Sequence, residues 1–184
     1  MPSFEINGVV FIHIPKNAGI SITRWFAKHF KIKPTQTGYI HPETSMIKIP
    51  FDETFAVVRN PWDRTVSLWS FWNKMNRMDI SFDEFVRNIH TYKFHEGAWF
   101  TLDQSQKTWI PDGVTYLLKF ETLEEDFKLI QEKFGCFEPL EHENTSEHDE
   151  YEKYYTQETW DIVAEVFKDD IEEFGYKNTF PVYN

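Results

Sequence analysis

Apolar residues recur along this chain with two alternating periods. Val9 to Ile14 is a short apolar run interrupted only by His13, and Thr54 to Val58 and Val114 to Phe120 are two more. Runs of this length, rich in Val, Ile, Leu and Phe, predict strands buried in a sheet. Between them the period lengthens. Ile22, Trp25, Phe26 and Phe30 fall three and four residues apart and predict a helix from about Gly19 to Lys31. Pro61 is suited to a first helical turn and opens a helix to about Arg77. Ser81 with Glu84 forms a capping-box pair for a helix through about His90, and Thr122 with Glu125 signals another cap before Phe127 to Phe134, which Gly135 closes. From Thr156 a long amphipathic helix is expected to carry Trp160, Val163, Ala164, Phe167 and Ile171 and to stop near Gly175.

Strands alternating with helices predict an α/β fold: a three-layer, P-loop-like domain with a short parallel sheet flanked by helices. In such folds ligands bind beyond the carboxyl ends of the strands, and two strand ends here carry suitable chemistry. Phe11-Ile12-His13-Ile14-Pro15-Lys16-Asn17-Ala18-Gly19-Ile20-Ser21 reads as a strand, a lysine-bearing turn and a helix start, an arrangement that holds the 5′-phosphate end of a nucleotide. It is not a Walker A loop. There the lysine follows the last glycine and a hydroxyl residue comes next to bind magnesium, whereas Lys16 precedes Gly19 and Ser21 trails it. The second segment runs from Phe55 through Arg59-Asn60-Pro61-Trp62-Asp63-Arg64-Thr65-Val66-Ser67, again a strand entering a helix, with Arg59 at the strand's end.

Together the two segments resemble the cofactor-binding signatures of the sulfotransferases, in the carbohydrate-type branch that includes the heparan sulfate 2-O-sulfotransferases. Ile14 to Ser21 is similar to that family's 5′-phosphosulfate loop, and Arg59 to Ser67 to its 3′-phosphate motif of Arg, Pro, Arg and Ser. A weaker match runs through Phe120-Glu121-Thr122-Leu123, Asn144-Thr145-Ser146, Tyr154-Tyr155-Thr156 and Asp170 to Tyr176. The resemblance implies 3′-phosphoadenosine 5′-phosphosulfate as the cofactor. It assigns Lys16, Asn17, Ala18, Gly19, Ile20 and Ser21 to the 5′ end, the backbone N–H groups of 17 to 21 receiving it, and Arg59 and Ser67 to the 3′-phosphate. Lys16 is then the catalytic cation, neutralising charge on the bridging oxygen as the sulfuryl group leaves. Ile20 departs from the pattern, since relatives often carry a hydroxyl residue there. A hydroxyl acceptor also needs a base, and histidine titrates in the right range. His41, in Gly38-Tyr39-Ile40-His41-Pro42 between the two motifs, matches the position where relatives carry a catalytic histidine; His13 and His95 are its rivals.

The bland alternatives stand beside these roles. Lys16 could be a solvated turn lysine, Arg59 a structural partner of an acid such as Asp63, and Ser67 helix padding. A nucleotide-dependent kinase would share the strand, loop and helix but needs magnesium ligands that the order of Lys16 and Gly19 does not supply, and a non-catalytic nucleotide-binding module would keep the same residues.

At 184 residues the chain suits a single domain spanning 1–184, and its one cysteine, Cys136, excludes an internal disulfide and is expected to be a small buried residue in a reducing, cytoplasmic setting. No segment approaches the ~20 apolar residues of a membrane span, so the expectation is a soluble protein. A net charge of −11 opposes nucleic-acid binding and repels a heavily sulfated polymer, favouring a neutral or weakly charged hydroxyl acceptor; the resemblance makes that acceptor a carbohydrate. Much of the acidity lies between Glu138 and Glu152, read as a solvated linker. The seven tryptophans are expected to be mostly core, and no HExxH or paired Cys/His spacing suggests a metal.

Overall fold

A computed structural model describes residues 4–30, 53–76, 78–93, 101–141 and 150–181. In chain order the elements are β1 (Phe4–Ile6), β2 (Val9–Ile12), α1 (Gly19–Phe30), β3 (Glu53–Val58), α2 (Pro61–Asn76), α3 (Phe82–Arg87), β4 (Tyr116–Lys119), α4 (Leu123–Asp126), α5 (Lys128–Phe134), α6 (Gln157–Val166) and α7 (Lys168–Phe174). The chain divides into two compact units, one built from residues 1–59 and 108–145, the other from 60–107 and 146–184.

The first unit holds a four-stranded sheet in the order β1-β2-β3-β4. β2 pairs with β3, and β3 with β4, in parallel; β1 is added antiparallel to β2. The α/β reading therefore holds, with one addition. Asn7-Gly8 turns the chain with φ of 50° and 81°, a two-residue hairpin turn in which both residues are left-handed. β2 is buried along its whole length, as is the second half of β3. Val9, Phe11, Phe55 and Val57 alternate onto the sheet face that packs with Ile22, Trp25 and Phe26 of α1, Phe127, and Ile130 of α5. The segment that follows α5 is docked as well. The Glu138 carbonyl accepts from Trp25 Nε1 at 2.8 Å and from Gln131 Nε2 at 2.6 Å. The described start of the acidic stretch is thus anchored through its backbone, while the Glu138 and Glu141 side chains are exposed as expected.

The second unit is helical, and its core is aromatic. Trp62 of α2 stacks on Trp160 of α6 with ring centroids 4.3 Å apart, and Phe82, Phe85, Tyr155 and Phe167 close around the same cluster. Ser81 caps α3 as expected, its hydroxyl accepting from the Glu84 N–H at 3.2 Å. Two expectations need correction. Thr122 makes no cap: a 3-10 turn over Phe120–Thr122 runs straight into α4, and the Thr122 hydroxyl donates to Asp126 instead, at 2.9 Å. The long helix from Thr156 is two helices, parted at Phe167 (φ −109°, ψ 28°). The break goes with a buried carboxylate beyond it. Asp170 of α7 accepts from the N–H groups of Gln106 and Lys107 at 2.9 and 3.0 Å and from the Ser105 hydroxyl at 2.6 Å. Among the described residues no helix is long and apolar enough to cross a membrane.

Candidate active site

The lysine turn follows β2 directly. The Asn17 N–H donates to the Ile14 carbonyl at 3.3 Å, which closes the turn, and α1 makes its first helical bond from the Ile22 N–H to the Ala18 carbonyl at 3.1 Å. The N–H groups of Gly19, Ile20 and Ser21 come before that bond, where a helix's positive end gathers. Lys16 and Ala18 both have positive φ, 74° and 58°, a region that side chains with a Cβ disfavour. Gly19 has a different reason to be glycine. A Cβ built there would lie 1.9 Å from His13 Nε2 and 2.0 Å from its Cδ2, so the imidazole lies against the Gly19 backbone at the mouth of α1.

Two residues tie this loop to the end of β3. Asn17 is buried, and its side-chain amide donates to the Val57 carbonyl at 2.7 Å. Arg59, immediately after β3, is also buried and donates from Nη1 to the Lys16 carbonyl at 2.9 Å. Its guanidinium lies 4.0 Å above the centroid of Phe120. That contact follows from strand register. Val58 pairs with Lys119, so the next residue on each strand, Arg59 and Phe120, come side by side as the sheet ends. Lys16, Asn17 and Arg59 are thus brought together at the carboxyl ends of β2 and β3.

Ser67 belongs to the second unit, buried on α2. Asn60 starts that helix, its side-chain oxygen accepting from the Trp62 N–H at 2.9 Å while Pro61 takes the first helical position. Arg64, the second arginine of the motif, is buried as well: Nη1 donates to the Gln104 carbonyl at 3.3 Å and the guanidinium stands over Phe167 at 5.7 Å. Tyr155 donates to the Trp62 carbonyl at 2.9 Å, and burial pushes its phenol well above the ordinary value. His41 and His95 lie outside the described residues.

Phe120, the inward-turned Asn17 side chain and Asp170 were not anticipated as parts of this framework. A signal existed for Phe120 and for Asp170, since each stands in one of the segments of the weaker match, but none told which way either side chain turns. Among the described residues no group of three or more His, Cys, Asp or Glu could hold a metal ion.

A search of curated proteins returns no match, and neither does a search of solved structures. A family model does match, the one described as Sulfotransferase family, over residues 4–177, a span that includes both strand-end motifs and every element of the fold. By that match across nearly its whole length, the chain belongs to the sulfotransferase family.

Proposed function

We propose that this protein transfers a sulfuryl group from 3′-phosphoadenosine 5′-phosphosulfate to a hydroxyl of a carbohydrate acceptor, without a metal and in the cytoplasm. The observation that carries the reading is the lysine-bearing turn between β2 and α1, braced from β3 by Arg59, in a chain of this family. The loop suits an anionic group on its own terms. Left-handed residues at Lys16 and Ala18, and a glycine on which no side chain fits, leave backbone rather than side chain at the helix start.

The donor supplies an activated sulfuryl group, and this chain's residues supply positioning and charge. In this reading the N–H groups at the start of α1 receive the 5′ end, joined by that of Ala18, while Asn17 serves by holding the loop, its own N–H being on the Ile14 carbonyl and its side-chain amide on the Val57 carbonyl. Lys16, half-exposed beside them, holds positive charge where the departing oxygen becomes negative. Arg59 and Ser67 receive the 3′-phosphate, Arg59 by charge-assisted hydrogen bonding. His41 draws the proton from the acceptor hydroxyl. The lone cysteine, half-buried Cys136, accords with a reducing compartment.

The test is purified protein with the sulfuryl donor and a panel of neutral and charged sugar hydroxyls, with and without EDTA, beside a control with ATP and magnesium. Donor-dependent sulfation that survives chelation is expected. Phosphorylation from ATP, or loss of sulfation in EDTA, would overturn the assignment, since a phosphoryl-transfer site relies on magnesium to neutralise the phosphate oxygens.

A further inference from the structure

We infer that Arg59 and Asn17 form a reciprocal brace that sets the conformation of the Lys16 turn, so that the residue assigned to the 3′-phosphate also governs binding at the 5′ end. The inference rests on the sulfuryl-transfer reading and adds a positioning role to it.

The brace is reciprocal in a literal sense. A side chain following β3 bonds to a carbonyl of the loop, Arg59 Nη1 to Lys16 O at 2.9 Å, while a side chain of the loop bonds to a carbonyl of β3, Asn17 Nδ2 to Val57 O at 2.7 Å. The peptide joining Lys16 to Asn17 is held at both ends. Its carbonyl accepts from Arg59, and its N–H donates to the Ile14 carbonyl at 3.3 Å. A peptide plane fixed at both ends constrains the torsions that flank it, ψ of Lys16 and φ of Asn17, and so holds the chain just beyond the left-handed φ of 74° at Lys16. A lysine left to itself avoids that region, so the loop conformation depends on what holds it.

Arg59 is in turn held in place. It is 6% exposed, and its guanidinium carbon stands over the Phe120 ring, 4.0 Å from the centroid. A charged, buried donor with so little freedom makes a directional hydrogen bond stronger than a neutral one. Removing it would take the Arg59 donor from the Lys16 carbonyl, loosen the peptide, and carry both the Lys16 side chain and the N–H groups at the start of α1 away from a common anion.

Adenosine 5′-phosphosulfate separates the two roles, because it carries the 5′ group and no 3′-phosphate. Wild type, Arg59→Ala, Asn17→Ala, Lys16→Ala and the Lys16→Ala/Arg59→Ala double variant are titrated by calorimetry with this probe and with adenosine 3′,5′-bisphosphate, folding being checked by thermal melting. Arg59→Ala is expected to weaken the 5′-only probe about tenfold or more. Asn17→Ala should do likewise, although its side chain carries no charge. The penalty for Arg59→Ala should shrink in the Lys16→Ala background, because the brace acts partly by aiming that lysine; a general loss of stability would instead add to it. The brace is overturned if Arg59→Ala loses the bisphosphate but keeps wild-type affinity for the 5′-only probe, or if the losses in the double variant are additive. Should Arg59→Ala fail to fold, Asn17→Ala decides by the same criterion. A wild type that binds neither nucleotide removes the sulfuryl-transfer reading itself, and the brace with it.

Discussion

At the scale of single residues, the site combines one partly exposed cation with two buried polar side chains that hold its loop. Lys16 is the partly exposed one, and its charge is most useful when the leaving oxygen becomes negative. Lys16→Ala is therefore expected to lower kcat by about 10²–10³ while changing cofactor Kd far less; separate measurement of the two checks it, and unchanged kcat would remove Lys16 from the role. Gly19 offers a sharper test, because intrinsic propensity and packing disagree there. Alanine in a helix is favoured over glycine by about 1 kcal/mol, yet a Cβ at Gly19 would strike the His13 ring at 1.9 Å. Packing should win: Gly19→Ala lowers the melting temperature, and His13→Ala in the same chain restores part of it by clearing the ring. A Gly19→Ala protein more stable than wild type would show that the loop yields easily. Lys16 and Arg59 were legible in the sequence because each is a cation at the end of an apolar run. The direction of Arg59 was not legible, since its partners are a backbone carbonyl 43 residues away and a ring set beside it by strand register.

At the scale of elements, the periodicity of apolar positions carried most of the assignment, and the misses have different causes. Strands β2, β3 and β4 and helices α1, α2, α3 and α5 fall where the apolar runs and caps predict, with ends shifted by a few residues. The antiparallel β1 was passed over although Asn7-Gly8 is a hairpin signal, because only three residues pair on its far side. The long helix after Thr156 broke for a reason no local pattern contains. Its amphipathic stripe continues through Phe167, but Asp170 lies beyond the break, fully buried, on the N–H groups of Gln106 and Lys107, 64 and 63 residues away. The carboxylate thus ties α7 to the 105–107 turn. Asp170→Ala would remove the carboxylate that accepts from those N–H groups and from the Ser105 hydroxyl, the Gln106 N–H being the buried one, at a cost of about 1–3 kcal/mol. Chemical denaturation should register that loss as a lower midpoint. Stability within a few tenths of a kcal/mol of wild type would mean that water replaces the carboxylate and the tie is dispensable.

At the scale of the whole molecule, charge is the property that sequence alone supplies, and it bears on the acceptor. Nineteen Lys and Arg against thirty Asp and Glu leave a net charge of −11. The cations at the strand ends face the donor's anionic groups in the proposed reading, so they add little attraction for a second polyanion. A heavily sulfated acceptor would then approach against the field of the molecule, while a neutral sugar would not feel it. Ionic strength separates the two. The screening length falls from about 30 Å at 0.01 M salt to about 8 Å at 0.15 M, so repulsion that slows encounter at low salt should largely vanish at the higher value. With the donor saturating at every salt concentration, kcat/KM for a polysulfated oligosaccharide is expected to rise several-fold across that range, and kcat/KM for its neutral counterpart to stay nearly flat. The ratio of the two is the quantity to follow, because any common effect of salt on the donor or on folding cancels in it. A ratio that falls with salt would mean attraction instead, placing a local group of basic residues around the acceptor path strong enough to override the overall charge, and the preference for a neutral acceptor would be withdrawn.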